Sequence, residues 1–128
     1  MKRFMRLGSV IALAFCLTFV AQIASATSVT KTQTTAAIGY KDVQITGKGT
    51  MQTFSCKVTS ASGASGDCTI RLTNGSGALV SQLSVGNHLE PLNRTIGVIL
   101  EKGSKYTMTA SITQYAPIGQ SVTATITD

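Results

Sequence analysis

Apolar and polar residues alternate in short runs along most of the chain, a period that predicts β-strands rather than helices. The clearest runs flank the polar segment 101–105: Ile96, Val98 and Leu100 precede it, and Tyr106, Met108, Ala110 and Ile112 follow it. A turn over 101–105 that pairs Leu100 with Tyr106 also sets Glu101 opposite Lys105, a favourable cross-strand charge pair. We therefore expect a β-hairpin here.

Two cysteines lie in a second pair of alternating runs. Phe54, Cys56 and Val58 share one strand face, and Cys68, Ile70 and Leu72 share another. Antiparallel pairing that sets Cys56 opposite Cys68 also sets Phe54 opposite Ile70, so one register closes a disulfide and matches the apolar faces. The small residues of segment 59–66 suit a loop. We expect a disulfide-linked hairpin.

The remaining segments complete an all-β pattern. Segment 27–35 is either a frayed tail or an edge strand, the apolar phase switches at Lys41-Asp42 as at a turn or bulge, Asn74–Gly77 predicts a turn, and Val122, Ala124 and Ile126 mark a closing strand. About seven short strands with turns every ~8–12 residues predict a small antiparallel β-sandwich, immunoglobulin-like or jelly-roll-like, with one disulfide.

The first 26 residues have the pattern of a bacterial signal peptide. Basic residues (Lys2, Arg3 and Arg6) precede an apolar run over 7–20 and the small residues 24–26. We expect cleavage after Ala26, leaving 27–128 as one secreted domain that is extracellular, periplasmic or on the cell surface. An uncleaved anchor over 7–26 is the competing interpretation, because this length can just span a bilayer. With cleavage, no membrane contact is expected.

Charge excludes one class of partner. The chain carries a formal charge of +6, and three of its eleven basic residues belong to the leader, which leaves +3 on residues 27–128. These charges are scattered, whereas nucleic-acid binding needs a basic stripe or cluster. We therefore expect no nucleic-acid partner.

Candidate catalytic groups are few. His88, the single histidine, lies near Glu90, and the pair suggests a general base or a metal ligand. A histidine metal site needs more ligands than this segment supplies, and an ordinary surface histidine explains the same residues. We expect no enzymatic activity, no metal and no cofactor. A small secreted hydrolase using His88 and Glu90 is the remote alternative.

The binding candidates are aromatic, and the chain has no tryptophan. Tyr40 and Tyr106 share the parity of apolar neighbours, so both rings are expected in the core. Tyr115 lies in a proline-containing loop and is the ring expected at the surface, with Gln114 and Gln120 beside it. The leading hypothesis is a non-catalytic binding module for a glycan, a cell-wall polymer or a protein partner.

A self-assembling surface or matrix protein is the alternative hypothesis. Segment 121–127 alternates cleanly, and as an edge strand it would pair with a second copy to give a homo-oligomer.

Overall fold

The computed structural model describes residues 25–35, 37–59, 65–73, 76–86, 91–113 and 116–128. These residues form eight β-strands: β1 (Ala26–Thr32), β2 (Gly39–Thr46), β3 (Met51–Val58), β4 (Gly66–Leu72), β5 (Leu79–Val85), β6 (Asn93–Ile99), β7 (Lys105–Ile112) and β8 (Ser121–Thr127). The predicted all-β class is confirmed, with one strand more than expected. Within the described ranges, no helix has the length and apolar character needed to cross a bilayer.

The strands build two antiparallel four-stranded sheets. The first sheet has the order β1-β8-β3-β6, and the second has the order β2-β7-β4-β5. The first strand therefore pairs with the eighth, the second with the seventh, the third with the sixth and the fourth with the fifth. This is the jelly-roll arrangement, one long antiparallel ribbon wound into a sandwich. Of the two expected sandwich types, the structure has the jelly roll.

The core lies between the sheets and is built from the inward-facing side chains of all eight strands. Its largest fully buried apolar members are Phe54, Val58, Ile70, Val85, Leu100, Met108, Ile112 and Val122. The faces predicted by alternation for β3, β7 and β8 are confirmed, because Phe54, Met108 and Ala124 have no exposed surface. Asn74 and Gly75 of the turn predicted at 74–77 lie outside the described residues. The strands on either side of it, β4 and β5, pair with each other.

The disulfide is confirmed, but the hairpin that was expected to hold it is wrong. Cys56 and Cys68 are joined at an S–S distance of 2.06 Å. Yet β3 pairs with β6 and β8, whereas β4 pairs with β5 and β7. The bridge thus connects the two sheets across the core. Alternation shows only that both cysteines face inward. Two inward-facing cysteines can be bridged when their strands face each other across the core, just as they can when the strands are neighbours in one sheet.

Small residues let the sheets approach each other at the bridge. The two cysteine Cα atoms lie 5.6 Å apart, whereas facing sheets are usually about 10 Å apart. Cys56 neighbours Ala124 in the first sheet, and Cys68 neighbours Ala110 in the second. A Cβ on Gly66 would lie only 2.5 Å from Cγ2 of Val122 in the opposite sheet. Bulkier side chains at these positions would force the sheets apart.

The hairpin expected around 101–105 is also wrong. Because β6 belongs to the first sheet and β7 to the second, this segment crosses between the sheets. Leu100 and Tyr106 are both buried, as their parity predicts, but they lie in the core between the sheets and are not cross-strand neighbours in one sheet. The backbone N–H of Glu101 donates to the Tyr106 hydroxyl at 2.9 Å. Lys105 donates to Thr46 instead of pairing with the Glu101 carboxylate.

Strand β2 corrects the position of Tyr40. The strand runs without interruption through Lys41-Asp42, where a turn or bulge was expected. Val43 and Ile45 set its inward face, so residues of the opposite parity point to solvent, and Tyr40 is 69% exposed. The expected burial of this ring is wrong, because Ile38, the apolar residue before β2 that shares its parity, is itself exposed.

The sheet edges also differ from expectation. Segment 121–127 is strand β8, which lies between β1 and β3, so its expected role as an edge is wrong. The edge-strand interpretation of segment 27–35 is confirmed by β1. The edges of the first sheet are β1 and β6, and those of the second are β2 and β5.

Replacing both Cys56 and Cys68 by alanine is expected to lower the free energy of unfolding by about 2–5 kcal/mol, because the change removes the covalent link between the sheets. Urea denaturation of the oxidised protein and of the variant measures the difference. A variant that unfolds at the same urea concentration as the parent would contradict the structural role given to the bridge.

Candidate functional site

Four connections meet at one end of the sandwich: those between β1 and β2, β3 and β4, β5 and β6, and β7 and β8. Backbone hydrogen bonds tie three of them together. Gly119 N donates to Gln33 O at 2.9 Å, and Thr113 N donates to Ser65 O at 3.1 Å. The fourth begins at Gly86, whose N–H donates to Pro91 O at 3.1 Å. We call this the loop end.

Gln120, one of the residues predicted to bind a ligand, has a structural role at the loop end. Its side-chain oxygen accepts from the Thr59 hydroxyl at 2.9 Å, and its backbone oxygen accepts from Gln33 N at 2.8 Å. Gln33 itself is buried, and its side-chain amide donates to Thr113 O at 3.1 Å. These bonds hold the β7–β8 connection against β1 and β3.

The other predicted site residues lie outside the described residues: Tyr115 and Gln114 of the β7–β8 connection, and His88 and Glu90 of the β5–β6 connection. The described ends of both connections lie at the loop end. The topology thus places the leading and the alternative candidate sites in connections that leave the same end of the sandwich, a relation that sequence separation conceals.

The outer face of the second sheet carries an exposed ring that sequence reasoning assigned to the core. Tyr40 of β2 lies opposite Ser111 of β7, Ser111 lies opposite Asp67 of β4, and Asp67 lies opposite Ser84 of β5. We call these four residues the tyrosine row. Adjacent strands are about 4.8 Å apart, so the backbones at Tyr40 and Asp67 are separated by roughly 10 Å.

A small cavity of about 190 Å³ lies beside Asp67 and Ser84, at the end of the tyrosine row that is farther from Tyr40. It is lined by Ser65, Gly66, Asp67, Ser84, Val85 and Thr113. The Ser84 hydroxyl donates to the Asp67 carboxylate at 2.5 Å, which fixes both side chains. Pockets for drug-sized ligands span about 300–1,000 Å³, so this cavity is sized for one polar substituent of a larger ligand.

A second polar row runs beside the first. Asp42, Thr109, Thr69 and Gln82 follow one another across the same four strands. The face therefore combines one exposed aromatic ring with carboxylate, amide and hydroxyl groups held on sheet backbone. Such a surface can stack against the apolar face of a ligand ring and hydrogen-bond to its hydroxyl groups.

The opposite end of the sandwich holds an ion pair between Lys48 and Asp128. Hydrogen bonds from Lys48 and Ser25 hold the pKa of the Asp128 carboxyl well below its usual range. Gln52, only 4% exposed, donates to the same carboxylate at 3.1 Å. These groups line a cavity of about 250 Å³. We interpret the cluster as a structural contact between the start of β3 and the end of β8, because the charges of Lys48 and Asp128 already neutralise each other.

Within the described ranges, no three His, Cys, Asp or Glu side chains are grouped so that they could hold a metal ion.

No protein-family model matches the sequence, and no curated protein matches it.

The Lys48–Asp128 pair predicts an acid-dependent stability. A carboxyl whose pKa is lower in the folded state stabilises the protein above its unfolded pKa of about 4, and the effect is lost as the pH falls below that value. Lys48→Met should therefore reduce the loss of melting temperature on acidification from pH 6 to pH 2. Lys57→Met, at an exposed lysine of β3, is the control and should follow the parent. Equal acid sensitivity of parent and Lys48→Met would refute the assignment.

Proposed function

We propose that this protein is an exported, non-catalytic binding module for a glycan or cell-wall polymer. The observation that carries the proposal is the tyrosine row, in which a ring that is 69% exposed shares one sheet face with Asp67 and Ser84. The apolar surface of an exposed aromatic ring is unfavourable in water, and a ligand that covers the ring removes this surface from water and gains that free energy.

The chemistry of the row supports a sugar polymer as the ligand class. A sugar ring offers C–H groups on its faces and hydroxyl groups on its edge. Tyr40 supplies a flat surface for the faces, while Asp67 and the hydroxyls of Ser84 and Ser111 supply acceptors and donors for the edge. The separation of roughly 10 Å between Tyr40 and Asp67 admits more than one sugar unit along the row.

The scaffold supports binding without rearrangement. Every member of the tyrosine row lies on a strand rather than on a loop, and Asp67 is adjacent to Cys68 of the inter-sheet bridge. Rigid placement reduces the ordering entropy lost when the ligand binds. A polar face that is fixed in advance suits the recognition of a repeating polymer.

Export is the second part of the proposal. A disulfide persists in oxidising compartments and is rare in the cytosol, so the Cys56–Cys68 bridge supports a non-cytoplasmic setting. Removal of residues 1–26 as a leader would place the domain 27–128 outside the cytoplasm, next to cell-surface polymers. Cleavage after Ala26 would remove Ser25 and the first residue of β1, whereas residues 27–32 would keep their pairing with β8. Lys48 and Gln52 would remain as partners of the Asp128 carboxylate.

Retention of the purified, oxidised protein on peptidoglycan, chitin, cellulose and whole cells tests the proposal. Tyr40→Ala should weaken retention on the bound polymer about 5- to 30-fold, since the loss of a stacked ring costs on the order of 1–2 kcal/mol. Tyr40→Phe keeps the ring and should retain most of the binding. Met51→Ala is the matched control, because it truncates a similarly exposed side chain on the first sheet.

Other outcomes have definite meanings. Loss of retention in Tyr115→Ala, with Tyr40→Ala unaffected, would move the site to Tyr115, Gln114 and Gln120. Retention on no polymer would contradict a glycan ligand and leave a protein partner. Release of soluble sugar that His88→Ala abolishes would instead establish the hydrolase alternative.

A further inference from the structure

The four sheet edges differ in how they are protected against pairing with another chain. The Lys31 side chain of β1 lies against Gly39 of β2, and the Arg94 side chain near the start of β6 donates to Ser84 O of β5 at 3.5 Å. Strand β2 also carries Lys41 and Asp42 on its exposed length. Strand β5 is irregular, because its register with β4 shifts between Ile70 and Arg71. Charges and bulges of this kind discourage edge-to-edge pairing.

Strand β6 has none of these protections along its central part. It pairs with β3 in an unbroken register, and no other described strand pairs with its second side. From Thr95 to Ile99 it contains no charged residue and no proline. Its unpaired side presents backbone N–H and C=O groups in the extended geometry that a further strand requires.

Apolar side chains are exposed on both faces of the same strand. Ile96 is exposed at the open side of the core, and Ile99, which is 61% exposed, lies on the outer face of the first sheet beside Met51. A neighbouring strand would cover these side chains and bond the backbone groups between them. Edge pairing is therefore favoured by both the hydrophobic effect and hydrogen bonding.

We propose that β6 is a self-association edge, at which two copies of this chain pair their β6 strands antiparallel to form a continuous eight-stranded sheet. The proposal is independent of the glycan ligand. It moves the expected self-assembly from segment 121–127, which is internal, to segment 93–99.

The sequence of β6 gives favourable cross-strand pairs when the strand pairs antiparallel with β6 of a second copy. A two-fold axis perpendicular to the sheet keeps the core-facing sides of both copies together, so residues of equal parity face each other. Centring the axis on Gly97 sets Ile96 opposite Val98 and Thr95 opposite Ile99 of the second copy. These are pairs of β-branched residues, which favour strand pairing. The two Arg94 side chains lie near opposite ends of the ladder, which limits their repulsion.

The length of β6 sets the strength of the contact. Seven residues span roughly 23 Å, and a strip about 12–15 Å wide buries roughly 600 Å² over both copies. Stable interfaces bury at least about 1,200 Å², so the dimer is weak and transient and forms only at high protein concentration. Crowding at a cell surface would populate it.

Sedimentation equilibrium over about 1 μM to 1 mM protein tests the edge. The parent should shift from monomer to dimer across this range, and Ile99→Lys should stay monomeric, because it places a charge on the pairing strand. Ile118→Lys is the matched control, since Ile118 is 71% exposed on the β7–β8 connection, and it should dimerise like the parent. Unchanged melting temperatures would show that both variants remain folded.

Three results would overturn the proposal: a parent that stays monomeric at 1 mM, association that Ile99→Lys leaves intact, or growth beyond the dimer, since two-fold pairing of β6 closes on itself. Polymer retention measured in the low micromolar range separates this proposal from the proposed function, because Ile99→Lys should still bind as the parent does.

Discussion

The covalent link between the two sheets is the constraint on which the rest of the structure depends. Cys56 and Cys68 bring β3 and β4 within a Cα separation of 5.6 Å, in a part of the core where Ala110 and Ala124 leave room for close approach. Because β3 has two neighbours in the first sheet and β4 has two in the second, the bridge fixes the sheets relative to each other. The tyrosine row takes its position from this arrangement through Asp67, which is adjacent to Cys68.

The proposed ligand face and the self-association edge belong to different sheets, and both depend on large side chains that are exposed because they do not pack in the core. Tyr40 is exposed because the inward parity of β2 belongs to Val43 and Ile45. Ile99 is exposed because it faces away from the core on β6, an edge strand. A dimer through β6 would carry two ligand faces, but it forms only well above the low micromolar range, where each face binds on its own.

Alternation predicted most of the side chains that face the core, with Tyr40 as an exception, and failed to predict which strands are neighbours. The faces containing Phe54, Cys56 and Tyr106 were all predicted correctly, and so was the disulfide. Both expected hairpins, at 59–66 and at 101–105, were wrong for the same reason. Inward side chains can meet across a core as readily as along a sheet, and a short turn serves either connection. Asp67 and Ser84 escaped notice because only the strand order brings them into line with Tyr40.

The most direct test of the ligand face is a nuclear magnetic resonance titration of the labelled, oxidised protein with soluble fragments of the polymer that retains it. The account predicts saturable shifts of backbone amides that concentrate at Tyr40, Ser111, Asp67 and Ser84, with the first sheet unaffected. Shifts confined to the loop end, around Gln120 or His88, would contradict the tyrosine row and assign binding to the connections between strands.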